Sequence, residues 1–332
     1  MAKERILTGD TPTGKLHIGH YVGTLENRVK LQDEYETFII IADTHSLSTF
    51  SKNPQQIRDY TYDVLLDNLA VGLDPKKVTF FAESLVPELY ELAAFFSMYV
   101  SHNRALRNPT VKDEIKMKGL GDTFSLGFVN YPIYQAADIL CVKANLVPVG
   151  VDQSAHLEQS RELARDMNRA AGKEIFPVPE ILVGRVGKLV GTDGNPKMGK
   201  SLDNTIFLSD EDSEIERKIM NMYTDPDRVH ATDPGKVEGN PVFTYLDVFG
   251  SDKDKDQIED FKNRYKEGKV GDVEVKKYLV DMMKNFISPI RERRKEFKPE
   301  DLEKILKEGS EKVRKITTET LEELKEGLNF KY

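Results

Sequence analysis

Two short groups of residues have the types and spacing that phosphate chemistry needs. The first is Thr11-Pro12-Thr13-Gly14-Lys15-Leu16-His17-Ile18-Gly19-His20, set where a strand-like segment hands over to a helical one. Ligands of open α/β sheets bind beyond the carboxyl ends of strands, where the free N–H groups and dipole of a helix start favour phosphate. His17 and His20, three apart, share one side of a helical turn and can donate to phosphate oxygens as charge builds there. Gly19 lets a nucleotide come close to the backbone. The competing readings are two surface histidines by chance, or a metal pair. Metal pairs on helices usually stand at i and i+4 and need further ligands, and the chain has 6 histidines in all.

The second group is Lys197-Met198-Gly199-Lys200-Ser201, at the end of a stretch punctuated by Gly184, Gly187, Gly191, Gly194 and Gly199. Such a stretch reads as a mobile loop. Two ammonium groups on it can close over a triphosphate and follow charge onto the departing pyrophosphate. Lysine-rich loops are common and usually only solvated, so this group alone says little. The two groups together, in this order and with an α/β domain between them, point to adenylyl transfer.

The elements that position these groups follow from the hydrophobic pattern. Arg5 to Thr8 reads as a short strand. Thr37 to Ala42 is an unbroken apolar, β-branched run of the kind covered on both faces in a parallel sheet. Val78 to Phe81 and Leu146 to Val149 supply a third and a fourth strand, with helical segments from about Ile18 to Glu34 and from Pro54 to a stop at Gly72. Asp152 is placed to cap a long helix on which Leu157, Ala164, Met167 and Ala171 share a face before Gly172. Alternating strands and helices imply a parallel sheet with right-handed crossovers. After about residue 205 the texture changes. Ser209-Asp210-Glu211-Asp212 resembles a capping box ahead of Ile215, Ile219 and Met222, and from Asp256 onward strand signals vanish.

Composition sets the outer bounds. A chain of 332 residues with 31% charged and 9% aromatic residues has the make-up of a folded globular protein. No apolar run approaches the ~20 residues that a membrane-spanning helix requires. The charged start leads straight into a strand, so no signal peptide is expected. The single cysteine, Cys141, rules out an internal disulfide or an all-cysteine metal site, and its ordinary reading is a buried small residue. These features favour the cytoplasm. The net charge of −8 argues against broad nucleic-acid binding but averages over faces. The densest basic run, Arg291-Glu292-Arg293-Arg294-Lys295 with Lys298, is the first candidate for RNA contact; a solvated helix face is its default reading.

The two motif groups resemble the HIGH and KMSKS signatures of class I aminoacyl-tRNA synthetases. His17-Ile18-Gly19-His20 is complete, and Gly199 stands where the usual second motif has Ser, with both lysines in place. Leu7 to Gly14, Tyr131 to Leu140, Val147 to Gln153 and Arg217 to Asp225 resemble the tryptophanyl-tRNA synthetases, so the resemblance runs over nearly the whole chain. It implies an α/β fold with a Rossmann-like parallel sheet over 1–183, a mobile loop over 184–205, and a smaller all-helical tRNA- or anticodon-binding domain over 206–332. The last helix is a candidate to pack back on the catalytic domain. The partners implied are ATP with Mg²⁺ as the substrate complex, L-tryptophan, tRNA(Trp) and a second copy in a homodimer, with no tightly bound metal and no membrane.

Residue roles follow from the same resemblance. His17, His20, Lys197 and Lys200 would be catalytic. Thr11, Pro12, Thr13, Gly19, His20, Gly150, Val151, Asp152, Val186, Met198, Gly199 and Ser201 would bind ATP beside the two lysines, with Gly150 and Asp152 at the ribose and Val186 at the adenine. Leu7, Gly9, His45, Tyr131, Gln135, Asp138 and Gln153 would bind tryptophan, with Asp138 accepting the indole N–H and Tyr131 and Gln153 holding the amino group. Lys112 is a candidate to reach the phosphates. Gln135 stands where many tryptophan enzymes carry Met, and Tyr131, Gln135 and Asp138 are also spaced as in the substrate helix of tyrosyl enzymes. A coenzyme-forming nucleotidyltransferase, and a paralogue that binds RNA without charging it, are the other readings.

Overall fold

The computed structural model describes residues 3–117, 124–149, 154–183, 189–196, 198–225, 228, 230 and 232–331. In chain order the elements are β1 (Arg5–Asp10), α1 (Ile18–His20), a π-helical turn (Tyr21–Leu25), α2 (Glu26–Leu31), β2 (Glu36–Ile41), α3 (Leu47–Phe50) and α4 (Gln55–Ala70). Next come β3 (Val78–Ala82), α5 (Glu88–Ser97), α6 (His102–Arg107), α7 (Pro109–Met117), α8 (Leu126–Cys141), β4 (Leu146–Val149), α9 (Ser154–Ala171) and β5 (Glu180–Val183). After these are α10 (Asp212–Met220), α11 (Pro241–Phe249), α12 (Lys255–Lys266), α13 (Asp272–Arg294) and α14 (Pro299–Gly327).

The five strands form one parallel sheet in the order β3-β2-β1-β4-β5. The order reverses between β1 and β4, which in such sheets is where ligands gather beyond the strand ends. Phe38, Ile39 and Ile41 are fully buried in β2, as the unbroken apolar run predicts. β5 was not legible as a strand: it has four residues and follows Pro179, which an edge strand tolerates.

By compactness the chain divides into two units that are discontinuous in sequence. The first is Met1–Gly14, Thr24–Gly184 and Phe297–Tyr332; the second is Lys15–Gly23 and Arg185–Glu296. The first unit holds the sheet and a core in which Phe38, Phe81, Leu140, Met167 and Phe176 meet Val313, Leu321 and Leu324 of α14. That helix covers the edge strand β3. The Ser310 hydroxyl accepts the Ala82 N–H at 3.2 Å, so a main-chain donor without a neighbouring strand is satisfied by a side chain. A Cβ on Gly309 would lie 1.8 Å from the Phe80 carbonyl oxygen, and that contact explains the glycine inside the helix.

The second unit is helical around Ile215, Ile219, Tyr245, Met283 and Ile287. The capping box expected at Ser209–Asp212 does not form. Glu211 is the N-cap and makes no side-chain cap bond, while the Asp210 carboxylate accepts the Phe207 N–H at 2.8 Å and the Lys218 ammonium at 2.7 Å. In the basic run, Arg291 donates to the Asp210 carbonyl and pairs with Asp212, and Lys295 pairs with Glu292. Among the described residues no helix is long and apolar enough to cross a membrane.

Candidate active site

The His17–His20 part of the first motif group meets the second group within the second unit. Leu16–Ile18 lies antiparallel to Ile206–Leu208, with the Ile18 N–H donating to the Ile206 carbonyl at 3.0 Å and the Leu208 N–H to the Leu16 carbonyl at 3.0 Å. His17 is extended there and caps α1: its Nδ1 accepts the Gly19 N–H at 3.1 Å, while Nδ1 of His20 accepts the His17 N–H at 3.1 Å. Two imidazoles thus make the reciprocal cap usually built from a hydroxyl and a carboxylate. Since each Nδ1 accepts, each neutral ring carries its hydrogen at Nε2. Burial, followed by the proximity of His20 and Lys200, holds the His17 pKa down at about 2. His17 is therefore a neutral hydrogen-bond donor across the physiological range.

Gly19 is needed where it stands. A Cβ would lie 2.9 Å from Cε1 and Nδ1 of His17 and 3.0 Å from Sδ of Met198, so the glycine admits the ring and the methionine. Lys200 opens a single 3₁₀ turn, Lys200–Leu202, closed by the Leu202 N–H on the Gly199 carbonyl at 3.0 Å. Lys197 and the side chain of Ser201 lie outside the described residues.

In the first unit, α8 presents Tyr131, Gln135 and Asp138 on one face by their spacing of four and three. Tyr131 and Asp138 are buried and Gln135 is half-buried. The Tyr131 ring meets His45 edge-on at 4.9 Å. His45 is held in turn by its own N–H, which donates to Oε2 of Glu83 at 3.1 Å. Tyr90 donates to the Thr44 hydroxyl at 3.0 Å, and Asp43 accepts the N–H groups of Thr44 and Ser84. Burial raises the Asp138 pKa well above the usual carboxylate range, and the charges of Glu83 and Asp43 raise it further. Burial likewise raises that of Glu83. A buried carboxyl under that pressure gains most from a ligand N–H aimed at it.

The turn after β1 is anchored from below. Arg28, fully buried, sets its guanidinium on both oxygens of Asp10 at 2.6 and 3.1 Å and also reaches Asn68 and the Gly9 carbonyl. The Pro12 carbonyl accepts the Ser46 hydroxyl at 3.1 Å, which fixes the segment carrying Thr11 and Thr13. Leu7 lies in the sheet core, and Gly9 lets β2 approach, since a Cβ there would sit 2.2 Å from the Ile40 side chain. Lys112 is exposed on α7. Gly150, Val151, Asp152, Gln153 and Val186 lie outside the described residues. Arg28, Asp43 and Glu83 were missed in the sequence. Glu83 left one signal, a carboxylate directly after the fully buried run Val78–Ala82.

A family model for class I tRNA synthetases of the tryptophan and tyrosine type matches residues 2–288. The chain is 50% identical over 338 residues to the tryptophan–tRNA ligase of Clostridium longisporum, covering 100% of this chain and 98% of that one. It is 49% identical over 339 residues to the tryptophan–tRNA ligase of Streptococcus pneumoniae, covering 100% and 99%. Among solved structures it resembles the tryptophanyl-tRNA synthetase of Campylobacter jejuni complexed with ADP and tryptophan, with a TM-score of 0.85 and 32% identity over 98% of this chain and 99% of that one.

Proposed function

The chain belongs to the class I tRNA synthetases for tryptophan and tyrosine, and from that premise we infer that it is a tryptophan–tRNA ligase whose adenylating group is built on His17, His20 and Lys200. It activates L-tryptophan with ATP and transfers it to tRNA. The observation that carries the assignment of the group is the pairing of Leu16–Ile18 with Ile206–Leu208, which sets Lys200 within electrostatic reach of the His17–His20 cap.

In the first step the tryptophan carboxylate attacks the α-phosphorus of ATP, the bond to the β-phosphate oxygen breaks, and pyrophosphate leaves. The neutral Nε2–H groups of His17 and His20 donate to phosphate oxygens, and Lys197 and Lys200 follow the charge onto pyrophosphate. Mg²⁺ enters with the nucleotide as part of the substrate. In the second step a ribose hydroxyl at the end of tRNA(Trp) attacks the carbonyl of the adenylate, and AMP leaves. No side chain need act as nucleophile, so the enzyme contributes orientation and charge stabilisation.

Specificity rests on α8. Asp138 accepts the indole N–H, and Tyr131 holds the amino group with His45 packed against its ring. Thr11, Pro12, Thr13, Gly19, Gly150, Val151, Asp152, Val186, Met198, Gly199 and Ser201 contact ATP, and Leu7, Gly9, Gln135 and Gln153 complete the tryptophan contacts. The enzyme works as a homodimer in the cytoplasm. ATP–pyrophosphate exchange run in parallel with tryptophan and tyrosine tests the reading: exchange with tryptophan is expected, and exchange with tyrosine alone would overturn it. Lys200→Ala should lower the tryptophan-dependent rate by about 10²-fold, the scale of one lost transition-state charge contact.

A further inference from the structure

Asn204 belongs to neither motif group, yet it is 2% exposed and the lysine turn closes on its amide. Its Oδ1 accepts the Gly199 N–H at 2.9 Å and its Nδ2 donates to Oδ1 of Asp193 at 3.0 Å. Its own carbonyl accepts the Thr192 N–H at 3.0 Å. The two side-chain partners ask for opposite things, an acceptor for a main-chain N–H and a donor for a carboxylate, and a carboxamide supplies both. The surroundings are cut to fit it. A Cβ on Gly191 would lie 2.3 Å from Nδ2 of Asn204 and 2.6 Å from Oδ1 of Asp193. Gly199, the residue so held, stands between Met198, whose sulfur packs over Gly19, and Lys200, whose charge reaches His17.

We propose that Asn204 is a positioning residue for adenylation: its amide fixes Gly199 against Asp193, and thereby sets Met198 and Lys200 at the His17–His20 cap. This rests on the assignment of Lys200 to the phosphates. Asn204 acts through the turn and touches no substrate. Four proteins test it: wild type, Asn204→Asp, the exchanged pair N204D/D193N, and Gly191→Ala. The readouts are tryptophan-dependent pyrophosphate exchange and tryptophan binding without ATP by equilibrium dialysis. In N204D two carboxylates face each other where an amide met one, and turnover should fall by about 10²-fold, the cost of a misplacement of about 1 Å. Tryptophan binding and the KM for tryptophan should stay as in wild type. The exchanged pair restores one donor and one acceptor in reversed positions and should recover most of the turnover. G191A, which displaces the same amide by another route, should reproduce the loss. Wild-type turnover in N204D, an exchanged pair no better than N204D, or tryptophan binding lost in step with turnover would each overturn the proposal. Absence of tryptophan-dependent exchange in wild type would instead overturn the ligase reading itself.

Discussion

His17 uses Nδ1 to cap α1, and that choice makes a stability prediction. Its pKa is 6.5 in an unstructured chain and about 2 in the folded protein. Between those values the unfolded chain binds the extra proton, so the stabilisation is complete above 6.5 and is lost as pH falls through the window, at up to ~1.4 kcal/mol per unit. From pH 7.5 to 5.5, wild type should therefore lose about 1.4 kcal/mol more unfolding free energy in urea than His17→Asn does. Asp138 has the opposite sign. Its raised pKa means that the folded state binds the proton, so its contribution falls away as pH rises. Asp138→Leu should melt higher than wild type at pH 7.5 while raising the KM for tryptophan by at least ~10²-fold, because the indole N–H then meets no acceptor. The sequence placed both histidines but not the use of their nitrogens, which depends on an extended backbone held by Ile206–Leu208. Arg28 was illegible for the same reason: an isolated charged residue gives no sign that it will be buried until its distant partners are known.

Gly309 in α14 makes the prediction at the scale of elements. Alanine favours a helix over glycine by ~1 kcal/mol, yet Gly309→Ala would press a methyl onto the Phe80 carbonyl. The expected net effect is a loss of about 2 kcal/mol, read from the urea midpoint. Four of the five strands were legible, because β-branched apolar runs bounded by turns are a strong local signal. β5 was not, being a four-residue edge strand behind a proline. The capping pattern at Ser209–Asp212 failed because α10 starts only at Asp212, which leaves Ser209 ahead of the N-cap, and Asp212 pairs with Arg291 instead. Local patterns predict well when nothing distant competes for the same atoms.

The whole molecule is divided by contact and not by order along the chain. Composition suggested a change of texture near residue 205, but the compact units interleave: Lys15–Gly23 groups with the later helices, and Phe297–Tyr332 groups with the sheet. The return of the last helix was expected from the family resemblance, but the grouping of Lys15–Gly23 with the later helices has no signal in composition, since it depends on which surfaces that short segment covers. Deleting residues 297–332 should accordingly damage the first unit, with tryptophan binding lost and apolar dye binding gained. The cover that α14 gives β3 also has a consequence for how the protein is made. The sheet is begun at residue 5, but its edge strand is not sheltered until α14 has been translated. At ~5–20 residues per second that interval is on the order of tens of seconds. Between the synthesis of β3 and that of α14 the strand edge has no cover, so slower translation lengthens its exposure to mispairing.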